Sequence, residues 1–229
     1  MKNWLNENTY IIADTHFGHK NIIKYEPIRT TIINKEIVNN DDLLLLSEEK
    51  IIENWNSVIK PEDHILHLGD FVLGGTTKIE EYTKKLNGHI HLILGNHDNG
   101  NNAVYKKNNI NVINNIFYNK TVINVNNEYS SALITKIKNK IIMFSHIPIL
   151  KDERHGARFF KANEELYDLF KKLKCDLNIH GHIHSISFDK NSKCINASLE
   201  VINFTPVKIK EILCRYFIDY DIGCGISHS

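Results

Sequence analysis

The sequence lacks the features that mark a membrane protein or an exported protein. Among its 229 residues, no apolar run approaches the roughly 20 residues that cross a bilayer. The first residues, Met1 to Asn8, contain no apolar core of a signal peptide. None of the cysteines forms a C-x-x-C pair, which argues against a cysteine-built zinc or redox site; they are Cys175, Cys194, Cys214 and Cys224. We therefore expect a soluble, cytoplasmic protein whose cysteines are reduced thiols.

An excess of charge of either sign is also absent. The formal net charge is +1, and the lysines and arginines are spread along the chain without forming a cluster. This distribution gives no sign of a surface that binds a nucleic-acid backbone. Internal repeats, linkers and low-complexity tails are missing as well, so we predict a single domain over residues 1–229. The oligomeric state stays open.

Short apolar runs that alternate with helical patterns favour an α/β fold. Five runs have the composition of buried strands: Tyr10–Ala13, His64–Leu68, Ile90–Leu94, Ile141–Phe144 and Cys175–Ile179. Three other segments repeat apolar residues at helical spacing: residues 44–59, 79–86 and 163–174. Between residues 110 and 142, short β-branched runs and polar turns predict that the sheet becomes antiparallel. The last residues, 212–229, match no pattern.

Side chains typical of metal ligands follow these five runs. They are Asp14 and His16, then Asp70, then Asn96 beside His97, then His146, and finally His182 and His184. Because ligands bind outside the carboxyl ends of the strands in an open α/β sheet, these loops can converge on one site. Carboxylate, imidazole and amide donors suit divalent ions such as Mn, Fe or Zn, and the absence of thiolates argues against a structural zinc site.

Each of these blocks has an ordinary structural interpretation when it is taken alone. A D-x-H sequence after a strand is commonly a turn, and Gly95 to Asp98 can form a simple turn because Gly and Asn tolerate positive φ. The G-H-x-H block is more specific, because alternate residues of an extended segment place both imidazoles on one side. The joint occurrence of all five blocks, in order and at strand ends, is what indicates catalysis.

The five blocks resemble those of the calcineurin-like metallophosphoesterase superfamily over about residues 9–185. The amino-acid sequences of Asp14–Ile23 and Asn178–His184 are similar to those of small phage- and bacterial-type members. The resemblance implies a four-layer α/β/β/α sandwich with two mixed sheets flanked by helices. It also implies hydrolysis of a phosphate ester by a metal-bridging hydroxide. The implied cofactor is a pair of divalent ions, with manganese expected first and iron, zinc or nickel as alternatives.

The resemblance also assigns roles to individual residues. One metal would be held by Asp14, His16, Asp70 and His184, and the other by Asp70, Asn96, His146 and His182, so that Asp70 bridges the two. His97 matches the family's histidine that binds no metal and faces the substrate. There it would stabilise the phosphoryl oxygens or protonate the leaving group.

One departure from the family pattern bears on the substrate. Where many members carry a second Asp and an Arg after the Gly-Asp pair, this chain has Leu73 and Gly74. The missing arginine favours a phosphodiester over a phosphomonoester, which carries more charge. The alternatives are a phosphatase acting on a nucleotide or protein, a nuclease, and a non-catalytic scaffold that retains the fold.

Several polar residues near the ligand blocks are candidate substrate contacts. His19, Asn21 and Arg29 follow the first block, where they could contact substrate or be solvated loop residues. Arg154 and Arg158 follow His146, where they could bind phosphate in place of the missing arginine. Two further histidines, His67 and His180, are candidates for hydrogen-bonding to the ligand loops.

Overall fold

The structure is a computed structural model that describes residues 4–33, 40–98, 100–124, 127–151, 157–186 and 192–217. Its strands in chain order are β1 Tyr10–Ile12, β2 His64–His67, β3 His89–Ile93, β4 Asn111–Ile113, β5 Ile116–Tyr118, β6 Thr121–Ile123, β7 Ala132–Ile137, β8 Lys140–Ser145, β9 Leu177–His180, β10 Cys194–Asn196 and β11 Val207–Lys208. The helices are α1 Ile22–Tyr25, α2 Asn40–Val58, α3 Thr76–Thr83, α4 Asn102–Lys107, α5 Phe160–Lys172 and α6 Ile209–Tyr216. Short 3₁₀ helices cover Pro27–Ile32 and Ala157–Phe159.

The strands form two mixed sheets. The first has the order β11-β1-β2-β3-β4, in which β1 to β4 are parallel and β11 is antiparallel. The second has the order β10-β9-β8-β7-β5-β6. In the second sheet β8, β9 and β10 are parallel, whereas β7 runs antiparallel to β8 and β6 antiparallel to β5. The prediction that the sheet becomes antiparallel in this region is confirmed for β7 with β8 and for β5 with β6. Strand β5 nevertheless pairs with β7 in parallel.

Three apolar clusters hold the layers together. One lies between the sheets, where Ile11 and Leu66 of the first sheet share a cluster with Phe144 and Ile179 of the second. The other two clusters lie on the outer faces. Helices α2, α3 and α4 pack on the first sheet, and α5 packs on the second. This is the expected α/β/β/α sandwich, and its parallel strands bring the five ligand loops to one edge of the molecule.

The segment after the matched blocks is ordered as far as it is described. Helix α6 places Ile209, Ile212 and Leu213 in the cluster between the sheets, so the first part of the 212–229 segment is helical. Residues 218–229 lie outside the described residues. Cys175 and Cys194 are free thiols, but Cys214 is disulfide-bonded, so the prediction that every cysteine is reduced is wrong. Within the described ranges no helix is long and apolar enough to span a bilayer.

Candidate metal centre

The carboxyl-end loops of β1, β2, β3, β8 and β9 bring the seven predicted ligands together. Five of the seven have left-handed backbone conformations: Asp14, His16, Asp70, His182 and His184, with φ between 47° and 73°. A non-glycine residue in this region costs about 1–2 kcal/mol, and such residues cluster at functional sites. Packing against the two sheets therefore holds strained backbone at these ligand positions.

One group of donors surrounds His16. Its Nε2 lies 3.4 Å from Asp70 Oδ2 and 4.0 Å from Asp14 Oδ1. Both ring nitrogens of His16 and the Oδ1 atom of Asp14 are buried without a hydrogen-bond partner. The imidazole of His184 stacks on that of His16, with ring centroids 5.0 Å apart. One donor atom from each of Asp14, His16 and His184 lies within 4.8 Å of the others.

A second group surrounds His146. Its Nδ1 lies 2.9 Å from the carbonyl oxygen of Leu68, to which it can donate a hydrogen bond. The Nε2 lone pair then faces Asn96 Oδ1 at 3.0 Å, Asp70 Oδ2 at 3.5 Å and His182 Nδ1 at 3.3 Å. These oxygen and nitrogen atoms converge on His146 Nε2, and donor atoms of these types in such close contact can hold a cation.

Electrostatics within the site also favour bound cations. Burial raises the pKa of Asp14 to about 6. Burial, followed by the charges of Asp98 and Asp14, raises the pKa of Asp70 well above its ordinary value. Burial lowers the pKa of His146 to about 3. Divalent cations would compensate buried carboxylates and bind neutral imidazoles, so the residues present fit the metal ions that the resemblance implies.

Glycines allow the ligand loops to approach one another. A Cβ atom on Gly95 would lie 2.2 Å from Asp70 Oδ1, and one on Gly181 would lie 2.5 Å from Asp14 Oδ2. Both distances are too short for any side chain. The glycines of the G-N-H-D and G-H-x-H blocks are therefore required by the close approach of neighbouring carboxylates.

Asp98 organises two of the loops, a role that the sequence analysis did not assign. Its Oδ2 accepts hydrogen bonds from the backbone N–H groups of Asp70 and Gly95, at 2.7 and 2.9 Å. Its Oδ1 accepts from the N–H of Phe71 and from the hydroxyl of Tyr105. The only sequence signal was its position directly after His97.

Arg29 is placed differently from the sequence prediction. It was a candidate substrate contact, but its side chain is 1% exposed. It contacts Glu200 and the backbone carbonyls of Asp14 and Thr15, so the substrate prediction is wrong for this residue. Burial raises the pKa of Glu200, but Arg29 and His184 outweigh it and hold that pKa at about 2. No local sequence pattern points to Glu200.

The predicted substrate-facing residues lie at the rim of the candidate centre. His97 has an exposed side chain, and its ring centroid is 5.4 Å from that of His16. His19 lies 5.6 Å from the same ring, and its Nδ1 accepts a hydrogen bond from the N–H of the exposed Asn21. Arg158 is exposed and its charge acts on His97.

Two remaining predictions concern residues beside the rim and behind the loops. Arg154 lies outside the described residues. His67 is fully buried and its Nε2 lies 3.0 Å from Thr15 Oγ1, while its Nδ1 accepts from the N–H of Gly69. It therefore connects the first two ligand loops. His180 Nδ1 lies 2.8 Å from the carbonyl oxygen of Gly181.

Comparison with known proteins agrees with the fold. A family model described as calcineurin-like phosphoesterase matches residues 8–185. The chain therefore belongs to the calcineurin-like phosphoesterase family, and it is a metallophosphoesterase, a hydrolase that acts on phosphoric ester bonds. This enzyme class excludes the non-catalytic scaffold.

Individual relatives extend the similarity beyond the matched segment. The chain is 29% identical over 212 residues to the uncharacterized protein MJ1445 of Methanocaldococcus jannaschii, covering 89% of this chain and 88% of that protein. It also resembles the crystal structure of AQ665, a protein of unknown function from Aquifex aeolicus. That match has a TM-score of 0.63 and 29% identity, and it covers 90% of this chain and 98% of the other.

Proposed function

We propose that this protein uses two divalent metal ions, held by the seven clustered ligands, to hydrolyse a phosphodiester. The observation that carries the proposal is the position of Asp70. Its Oδ2 lies 3.4 Å from His16 Nε2 and 3.5 Å from His146 Nε2, so one carboxylate oxygen reaches both donor groups. A shared carboxylate of this kind is what a two-metal centre requires. We propose manganese as the metal, on the basis of the mixed oxygen and nitrogen donors.

The bound ions would act as Lewis acids on the phosphoryl oxygens and supply an activated water. The protein's own groups would then position the substrate. His97 lies at the rim with its ring near His16, where its imidazole can donate a hydrogen bond to a phosphoryl oxygen or a proton to the leaving oxygen. His19 lies on the same rim and can contact a substituent of the ester.

The shape of the second ligand loop supports a diester substrate. Leu73 donates its backbone N–H to the carbonyl of Phe17, and the preceding Phe71 and Val72 are buried. This loop therefore contributes no cationic side chain to the site. A monoester carries one more negative charge than a diester, and enzymes that bind it commonly use arginine forks.

Arg158 is the described arginine whose placement bears most directly on this choice. Its guanidinium lies over the ring of Tyr129, at 5.2 Å from the centroid, and it bonds the hydroxyl of that tyrosine. These contacts hold the guanidinium against an aromatic ring while leaving it exposed at the surface. We propose that it contacts the outer part of the ester rather than the reacting phosphoryl group.

The test compares kcat/KM for bis-p-nitrophenyl phosphate and p-nitrophenyl phosphate at one Mn²⁺ concentration and one pH. We expect the diester to be preferred, and activity to disappear when a chelator removes the metal. The Arg158→Ala variant should keep this preference. The diester proposal would be overturned if the wild type preferred the monoester by about tenfold or more and Arg158→Ala lost this preference. That result would identify Arg158 as the residue that binds the phosphoryl group.

A further inference from the structure

One member of a buried ion pair, Glu200, contacts a proposed metal ligand from outside the segment that matches the family. Glu200 lies beyond residue 185, where the family match ends. Its side chain is fully buried, and so is that of its partner, Arg29. Glu200 Oε1 accepts a hydrogen bond from Arg29 Nε at 2.8 Å and lies 3.3 Å from His184 Nδ1. A carboxylate on the distal nitrogen of a metal-binding histidine commonly fixes its tautomer and orientation.

Arg29 extends this contact to the first ligand loop. Its Nη1 donates to the carbonyl of Thr15 at 2.8 Å, and its Nη2 donates to the carbonyl of Asp14 at 2.6 Å. The planar guanidinium thus links the backbone of the first loop to the carboxylate that contacts His184. Two proposed ligands of the same metal, Asp14 and His184, are held by one rigid group.

The segment that precedes Glu200 strengthens this arrangement. Ser198 lies beside Ala13 in a parallel bridge, and its hydroxyl lies 2.7 Å from Asp14 Oδ2. The side chain of Asn196 donates to the carbonyls of His184 and Ile186, at 2.6 and 2.7 Å. The segment from Asn196 to Glu200 therefore contacts both the first and the last ligand loops.

We infer that Glu200, held by Arg29, is a positioning residue for one of the two metal ions, the one bound by Asp14, His16, Asp70 and His184. The Nδ1–H of His184 donates to Glu200, which leaves Nε2 of the same ring to bind the metal. This inference rests on the two-metal function proposed above. Asn96 and His182, proposed ligands of the second metal, contact His146 instead.

Metal binding tests this inference without any substrate. Metal-free protein is titrated with Mn²⁺ by calorimetry for the wild type, Glu200→Gln and Glu200→Ala. We expect one of two binding events to weaken, by about tenfold in Glu200→Gln, which keeps an oxygen acceptor, and by up to about 100-fold in Glu200→Ala. The dissociation constant of the other binding event should stay within about threefold of the wild-type value, because a change at Glu200 leaves the ligands of the second metal in place.

Reference variants identify which event is affected. Asp14→Asn removes a ligand of the metal in question, and His182→Ala removes a ligand of the other. The profile of Glu200→Gln should resemble that of Asp14→Asn. Glu81→Gln is the matched control, since Glu81 forms surface ion pairs with Lys78 and Lys85 and should bind both ions normally.

A stability control separates positioning from loss of the fold. Removing one partner of a buried ion pair leaves an unpaired charge, so Glu200→Gln alone is expected to destabilise the metal-free protein. The double variant Arg29→Met with Glu200→Leu removes both charges and should still lose the same binding event. The inference is overturned if both events weaken equally, or if the double variant binds both ions as the wild type does. Wild-type protein that binds fewer than two Mn²⁺ ions would instead overturn the proposed function.

Discussion

The backbone N–H of His97 donates a hydrogen bond to Asp70 Oδ1 over 2.9 Å. The other oxygen of the same carboxylate faces His16 and His146. The loop that carries the proposed catalytic histidine is therefore fixed to the proposed bridging ligand through its backbone. The imidazole itself takes no part in this bond.

His97→Ala should for this reason keep both metals and lose rate. The substitution preserves the backbone N–H that binds Asp70, and general acid catalysis is typically worth about 10²–10⁴-fold. The measurement is kcat for the diester together with Mn²⁺ content per chain. If metal is lost along with activity, His97 is a ligand and its assignment to the substrate is wrong.

Gly181→Ala should lower activity by moving a ligand. The added Cβ would lie 2.5 Å from Asp14 Oδ2 and 2.6 Å from the Cβ of Ala13, both far inside van der Waals contact. A displacement of about 1 Å in a catalytic group can cost about 10²-fold in rate, so we expect a fall of that order in kcat/KM.

The control for this variant is Gly100→Ala. Gly100 has a left-handed φ of 88°, but a Cβ there meets no atom of the described residues within 4 Å. It should lose about 1 kcal/mol of stability through backbone strain while its kcat/KM stays unchanged. Equal effects of the two substitutions on kcat/KM would show that Gly181 has no special relation to Asp14.

A histidine cluster outside the candidate centre should make stability depend on pH. His91 is buried beneath the stacked ring of Trp4, at 3.4 Å between centroids, and its Nε2 lies 3.0 Å from His64 Nδ1. Burial, with His64 and His89 nearby, lowers the pKa of His91 to about 3. Burial and His89 likewise lower the pKa of His64, against the opposing charge of Asp63.

The sign of the effect follows from these lowered values. Above the unfolded pKa of about 6.5 both states are neutral and the stabilising contribution is complete. As the pH falls from there toward 3, His91 becomes protonated in the unfolded chain but stays neutral in the folded protein. The free energy of unfolding therefore decreases. Between pH 6.5 and 5.0, the free energy of unfolding should therefore fall by up to about 2 kcal/mol less in His91→Gln than in the wild type. Urea denaturation at the two pH values checks this, and identical losses would contradict it.

The sequence was sufficient to predict the sheet edge and the ligand blocks. Strands β1, β2, β3, β8 and β9 lie within a few residues of the predicted runs, because buried parallel strands are short, apolar and followed at once by polar loops. The proposed ligands are recognisable in the sequence for the same reason, since each follows its strand closely.

The surrounding contacts could not be predicted from the sequence. Arg29 and Glu200 are 171 residues apart, and Ser198 and Asp14 are 184 residues apart. A buried arginine and a solvated arginine look the same in a single sequence, and no local pattern marks their partners. Short strands such as β10 and β11 were missed because two or three residues carry too little periodicity.

In the proposed two-metal centre, the carboxylate of Asp70 bridges the two ions. Asp70→Asn replaces a bridging oxygen or its charge with a neutral amide, which cannot serve both ions. The matched control is Asp63→Asn. In the wild type, the Asp63 carboxylate accepts a hydrogen bond from the N–H of Lys60 in an exposed turn. The decisive measurement is the Mn²⁺ content per chain by elemental analysis after removal of excess metal, together with kcat/KM for the diester. We expect two ions in the wild type and in Asp63→Asn, and at most one ion with most activity lost in Asp70→Asn. An Asp70→Asn protein that holds two ions and turns over at the wild-type rate would contradict it.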